Sequence, residues 1–216
     1  MSVTTPAMGT ASATSGRTWY RFVRRLALRA SSELALVYVP DGVHEQLAVL
    51  KRLPPAHTAD AAAVAKFRRE ARIAARLEHP SIVRVFDVVE SSREDFYTME
   101  YVRGADMRQL MDALSAQGRT LPLDCVLLIA LEVCNALDYA HHLTDDRGKP
   151  APVIHRELSP SKVLVGVDGA IKLTGFGAPP VEQSAALRRS RTASVSYTSP
   201  ERALGEGVDA RSDVFA

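Results

Sequence analysis

The stretch Val153-Ile154-His155-Arg156-Glu157-Leu158-Ser159-Pro160-Ser161-Lys162-Val163-Leu164-Val165 decides the reading of this chain. Two apolar residues lead into a polar run that carries an imidazole, a guanidinium, a carboxylate and an ammonium. The run gives way to apolar residues at 163–167, and a second short apolar run follows at 170–173. Between them stand Asp168 and Gly169, a pair that a tight hairpin turn favours. The polar run is therefore a loop that feeds a β-hairpin.

Upstream of this loop, residues 123–143 read as a long helix in which Leu127, Leu131, Cys134 and Leu137 form an apolar stripe. A polar loop with Asp145, Asp146 and Gly148 follows it, and a shorter helical segment precedes it after Gly104. Farther upstream the pattern is β-rich. Runs at 20–28, 34–39 and 47–53 read as strands, with Pro40-Asp41-Gly42 as a turn, and two more strands fall at 82–89 and 96–101. A helix at 60–77 interrupts them, with Asp60 as its cap and Val64, Phe67, Ala71, Ala74 and Leu77 at helical spacing; Pro80 stops it. Downstream of the hairpin the chain is mostly loop, rich in Ser and Arg, until a helix begins near Asp209.

Several of these segments, taken in order, resemble the eukaryotic-type (Hanks-type) Ser/Thr protein kinases of bacteria. Leu47-Ala48-Val49-Leu50-Lys51 is similar to the strand whose lysine holds nucleotide phosphates, and Phe67-Arg68-Arg69-Glu70-Ala71 to the helix whose glutamate pairs with that lysine. Tyr97-Thr98-Met99-Glu100-Tyr101-Val102 resembles the strand and hinge that hold an adenine ring. The opening stretch resembles the catalytic loop, Ile171-Lys172-Leu173-Thr174-Gly175-Phe176-Gly177 the metal-binding segment, and Ser199-Pro200-Glu201 the motif after the activation loop. The resemblance implies an α+β, two-lobed fold: a β-rich N-lobe with one main helix at 18–102, and a partial, mostly helical C-lobe at 103–216; residues 1–17, with almost no large apolar side chains, read as a disordered tail. It implies packing roles for His155 and Phe176, and nucleotide contacts from Lys51, Glu70 and Met99; Lys162, which departs from the family pattern, is a further candidate nucleotide contact.

The chain departs from that family where the chemistry is most demanding. Kinases transfer phosphate by positioning and by cations that neutralise the triphosphate. At the metal-ligand positions stand Gly175, which has no side chain, and Lys162, whose ammonium has donors only and repels a divalent cation. The glycine-rich lid is replaced by Ala27, Arg29 and Ser32, which lack the backbone freedom that close approach to phosphate requires. Glu157 stands at the catalytic-aspartate position, one methylene too long, and a misplacement of about 1 Å can cost on the order of a hundredfold in rate. Metal ligands are thus expected to be absent, and ATP, where it binds, is expected to bind without magnesium. Lys51 and Glu70 serve either as a nucleotide anchor or as a structural ion pair. Lys162 either occupies the place of a metal ion or points into solvent.

These departures lead to an expected pseudokinase, a regulatory or scaffolding module that works through protein contacts. Two alternatives stand beside it: a weakly active Ser/Thr protein kinase that uses Lys51 and Glu157 with ATP, and a non-functional kinase fragment. Arg156 is a candidate partner for a phosphate added by an upstream Ser/Thr kinase at Ser190, Thr192 or Ser194, where Arg188, Arg189 and Arg191 supply basic context. The alternative there is an unmodified basic loop.

Composition fits this reading. With 46% hydrophobic and 24% charged residues over 216, the chain buries a real core, and a net charge of +2 is too mild to argue for nucleic acid. Arg17, Arg21, Arg24, Arg25 and Arg29 are read as a solvated strand face. No run suits a membrane-spanning helix and the first residues lack a secretory pattern, which points to a cytoplasmic protein. Cys125 and Cys134 face opposite sides of the long helix, so they are expected as free thiols in or near a core.

Overall fold

The computed structural model describes residues 20–29, 32–41, 44–91, 94–177 and 195–216. The expected tail at 1–17, Gly42 of the first turn, and Ser190, Thr192 and Ser194 lie outside the described residues.

Short apolar runs build a five-stranded antiparallel sheet from β1 (Arg21–Arg29), β2 (Ser32–Asp41), β3 (His44–Arg52), β4 (Val85–Glu90) and β5 (Asp95–Glu100), in the order β1-β2-β3-β5-β4. One face of β2 and β3 buries Ala35, Val37, Val39 and Ala48. Arg21, Arg24 and Arg25 of β1 are exposed, as a solvated strand face requires. Helix α1 (Ala61–Ala74) begins where Asp60 accepts hydrogen bonds from the amides of Ala62 and Ala63. It buries Phe67 and Ala71 against Leu53 and Tyr97, with the rings of Phe67 and Tyr97 5.6 Å apart. Arg68 donates to Asp95 at 2.7 Å and Arg72 to Glu90 at 2.7 Å, so one face of the helix is tied to the β4–β5 hairpin. The helix ends at Ala74, before the expected Leu77, because the amides of Arg76 and Leu77 turn back to Ile73 and Ala74 in tighter turns.

The second half adds a small sheet that the sequence pattern does not announce in full. β6 (Gly104–Asp106) pairs with β7 (Val163–Gly166), and β7 with β8 (Ile171–Leu173). A Cβ at Gly104 would overlap the carbonyl oxygen of Val165, so only glycine allows this approach of two backbones. Gly104→Ala is expected to pry β6 from β7 and to destabilise the fold by about 1–3 kcal/mol; a thermal melt unchanged within a degree would refute the clash. Helix α2 (Met107–Ser115) starts on a capping box of Asp106 and Gln109, and α3 (Leu123–His141), α4 (Pro200–Leu204) and α5 (Ala210–Phe215) complete the order. Among the described residues, no helix is long and apolar enough to cross a membrane.

The main core lies beneath β8, where Leu137, Ala140, Val153, Leu158, Leu173 and Phe176 pack together. Leu173 also joins the two halves: its carbonyl accepts from Val83 and its amide donates to Ser81, in the connection after α1. Lys172 adds an ion pair to Glu100 at 2.9 Å. Helix α3 divides its apolar stripe between core and surface. Its C-terminal half buries Ala136, Leu137 and Ala140, whereas Leu127 and Leu131 stay 60% and 55% exposed. Cys125 and Cys134 are exposed free thiols and not core residues, because the face of that helix that meets the main cluster is made by Ile129, Val133, Ala136, Leu137 and Ala140.

Candidate functional site

The loop from Val153 to Lys162 is held by one buried carboxylate. Asp213, in α5, accepts from the amide of His155 at 2.7 Å, from the amide of Arg156 at 2.7 Å and from His141 Nε2 at 2.8 Å. Burial alone would raise its pKa, but the hydrogen bonds from His141 and the two amides outweigh it and hold the carboxyl below the usual range. The grip turns Arg156 into the left-handed region, at φ 69°, which points successive amides at one acceptor. Sequence reading placed Asp213 at the start of a helix that, by resemblance, organises this loop, and named no contact for Asp213 itself. A contact across 57 residues leaves no local mark.

His155 and Phe176 pack as the resemblance implied. The imidazole is fully buried, its centroid lies 4.6 Å from the Phe176 ring, and Nε2 faces the Thr174 carbonyl at 3.0 Å. Desolvation lowers its pKa to about 4. The unfolded chain then binds the proton and the folded chain does not between pH 6.5 and about 4, so stability falls as pH drops through that window. At about 1.4 kcal/mol per pKa unit, the ring contributes on the order of 3 kcal/mol. Urea titrations at pH 7 and pH 4.5 should show this loss, and equal midpoints would count against it.

Lys51 and Glu70 form the expected ion pair between β3 and α1. Tyr97 donates to Glu70 at 3.0 Å; burial, then the neighbouring carboxylate, pushes its phenol well above its ordinary pKa, so it stays a neutral donor. Tyr97 was read only as part of a strand. Lys51, Met99 and Lys162 line one cavity of about 120 Å³ between the two halves, together with Gly175. Glu70 stands behind Lys51 and supports it without lining the cavity.

Above the cavity, the described residues of the glycine-free lid are paired strand, with Ala27 opposite Leu34, Leu28 opposite Glu33 and Arg29 opposite Ser32, after a register shift between Arg25 and Ala27. Glu33 is buried and accepts from Arg25 at 2.6 Å and from Arg52 at 2.8 Å, which ties three strands together. Burial would raise its pKa, but the two guanidinium groups hold it below the usual carboxylate range.

Gly175 and Lys162 meet. A Cβ built on Gly175 would lie 3.0 Å from both Cδ and Nζ of Lys162, so the lysine arm fills the space that a side chain at 175 would need. The ammonium also lies 3.8 Å from Glu157 Oε2. A divalent ion needs oxygen ligands here and meets a cation instead, so the residues present do not fit the magnesium that this kind of site implies. Among the described residues there is no cluster of three or more metal-ligating side chains.

Glu157 lies outside the cavity, 45% exposed, between two cations. Lys162 approaches one oxygen, and Arg202 Nη2 approaches the other at 3.8 Å. Arg202 also donates to the Arg156 carbonyl, so α4 clasps the loop from outside. Its only sequence signal was its place after Ser199-Pro200-Glu201. Glu201 accepts from Ser212 Oγ. Arg156, with Arg69 and Arg76, lines a separate cleft of about 250 Å³.

Comparison with known proteins agrees with this geometry. A protein kinase domain model matches residues 38–216. The tyrosine-protein kinase MasK of Myxococcus xanthus is 34% identical over 203 residues, covering 91% of this chain and 31% of that protein. The serine/threonine-protein kinase PknB of Mycobacterium leprae is 36% identical over 160 residues, covering 70% and 24% respectively. The crystal structure of the PknI kinase domain of Mycobacterium tuberculosis matches with a TM-score of 0.66 at 34% identity, covering 96% of this chain and 73% of that one. The chain thus spans less than a third of the length of these curated relatives.

Proposed function

The chain belongs to the protein kinase domain family, with bacterial serine/threonine kinases among its relatives, and from that premise we propose that it is a pseudokinase that regulates or scaffolds other proteins through contact. One observation carries this reading: the Lys162 arm and ammonium stand against Gly175, where a metal-binding carboxylate would have to sit. Without a metal the triphosphate keeps its charge, and the electrostatic part of catalysis is lost. The lid adds to this, since its laddered hairpin and the Arg25–Glu33–Arg52 group leave no glycine to close over phosphate. Any nucleotide that binds does so without magnesium, on Lys51 and Lys162 with Met99 at its side. The module works inside the cytoplasm. Phosphorylation at Ser190, Thr192 or Ser194 by an upstream kinase supplies its regulation, with the Arg69, Arg76 and Arg156 cleft as the docking place.

A second reading has its own support. The Lys51–Glu70 pair is intact and Glu157 keeps a carboxylate, as a weak kinase acting from ATP would need. Radiolabelled phosphate transfer with Mg²⁺ or Mn²⁺, run beside Lys51→Met, separates the two. The expected result is equal background in both proteins. Incorporation by the natural chain that vanishes in the variant would establish the weak kinase.

A further inference from the structure

Helix α1 has a second face that the core leaves unused. Phe67 and Ala71 are buried against the sheet. On the outer side, Ala61, Ala65, Arg68, Arg69 and Arg72 follow one another turn by turn. With Val64 and the Thr58-Ala59 turn they line an open cleft of about 550 Å³. It shares Arg69 with the cleft of Arg76 and Arg156 and is otherwise separate from it.

The charge of this face has one sign. Lys66, Arg68, Arg69 and Arg72 are the charged residues of α1 apart from Glu70, and Glu70 is committed to Lys51. Among the described residues, no carboxylate lines the cleft. Arg68 is tied to Asp95 and to the Ser91 carbonyl, and Arg72 to Glu90, which holds both guanidinium groups along the cleft. Arg72 still keeps 66% of its side chain in solvent. Arg69 is exposed and forms no ion pair among the described residues. A helix face that meets only water gains from opposite charges one turn apart, and this stripe has none.

The two ends of the cleft select a partner together. At the alanine end the backbone of α1 is thinly covered, so another helix can approach at the short end of the usual axial separation, about 8 Å. At the arginine end the same helix needs carboxylates along one flank. A nucleic-acid backbone would answer the arginines but gain nothing from the alanines.

We propose that the outer stripe of α1 is the surface through which this chain holds a protein partner, and that the partner contributes an amphipathic helix with an apolar seam on Ala61 and Ala65 and carboxylates on Arg69 and Arg72. The proposal deepens the contact-module reading and rests on it, since it gives that module a docking surface and its partner a chemistry. Arg68 and Arg72 are preorganised for the contact, because their ion pairs to the β4–β5 hairpin already restrict their side chains.

The test is fluorescence anisotropy on the whole chain at physiological ionic strength, with three labelled probes of equal length: a helical peptide with a leucine and alanine seam and a glutamate flank, the same peptide with lysine for each glutamate, and oligothymidylate. The glutamate peptide is expected to bind saturably, and to lose affinity as salt is raised. The lysine peptide is expected not to bind, and oligothymidylate to bind about tenfold more weakly or worse, as a partner read by both charge and packing requires. Arg69→Glu and Ala65→Glu each set like charges against the glutamate flank and should weaken it by about tenfold or more. Both positions are exposed, so the fold is kept, and a thermal melt checks this. Arg76→Glu lies in the neighbouring cleft, and screening should hold its effect below about twofold. The proposal falls if the glutamate peptide does not bind, if the lysine peptide or oligothymidylate binds as tightly, or if Arg76→Glu weakens binding more than Arg69→Glu and Ala65→Glu do. Phosphate transfer from ATP, measured separately, tests the non-catalytic reading alone, so the two ideas fail in different assays.

Discussion

Asp213→Ala is expected to remove about 3–5 kcal/mol of folding stability, the scale seen when one partner of a buried, hydrogen-bonded charge is deleted. The carboxylate accepts from two backbone amides and one imidazole, and it is almost wholly buried. Deleting it strands the amides of His155 and Arg156 in a place water does not reach, at about 1–3 kcal/mol for each unsatisfied group. It also releases the left-handed turn at Arg156, whose conformation is held only while both amides have an acceptor. A domain of ordinary stability has about 5–15 kcal/mol in total, so the variant should sit close to unfolding at room temperature. Asp213→Asn keeps one acceptor oxygen and should lose less. Urea denaturation of the three proteins provides the measurement; a loss below about 1 kcal/mol in Asp213→Ala would show that the loop is held by something else. The same carboxylate adds acid sensitivity. Its folded pKa is depressed, so its contribution is complete above the ordinary carboxylate range and fades as pH falls through the lower folded value.

The fold was legible wherever the signal was local. Asp60 marks the start of α1, Asp168-Gly169 marks the hairpin, and short apolar runs mark β2 and β3. The site was legible where residue type alone decides chemistry: Lys51 with Glu70, Gly175 without a side chain, Lys162 with the wrong charge. What escaped depends on distance along the chain. Arg202 reaches the Arg156 carbonyl across 46 residues, Asp213 reaches the same loop across 57, and Glu33 meets Arg52 across 19. Such pairings exist only after folding, and neither period nor propensity records them. β6 escaped for another reason. Three residues beginning with glycine carry too little pattern to be read as a strand, and only the approach to Val165 explains that glycine. The apolar stripe of α3 divides, with Leu137 buried and Leu127 and Leu131 exposed, because periodicity reports a face but not whether anything covers it.

Paired reversion of the two altered metal positions should give an effect larger than either change alone. In Gly175→Asp the new side chain begins 3.0 Å from the Lys162 ammonium and from its Cδ, so the lysine must shift or pair with the new carboxylate. Either way the carboxylate is spent on an internal ion pair, and Mn²⁺ binding measured by electron paramagnetic resonance should stay undetectable. The backbone adds a modest cost, since φ at this position is 93°, a region aspartate tolerates better than most residues. Lys162→Asn alone removes the repulsion but supplies only a neutral oxygen. Together the two changes clear the space, exchange a cation for an amide and add a carboxylate, so the local charge becomes more negative by two units. At about 4 Å each such unit is worth on the order of 8 kcal/mol against a divalent ion at an effective dielectric of 20, of which desolvation returns a large part. An affinity gain on the order of a hundredfold over either single variant is the expected result. The measurement is sensitive to the claim that one side chain blocks the other. If Gly175→Asp alone bound Mn²⁺ as tightly as the pair, the Lys162 arm would be no obstruction, and the loss of metal would have to be assigned to position 175 by itself.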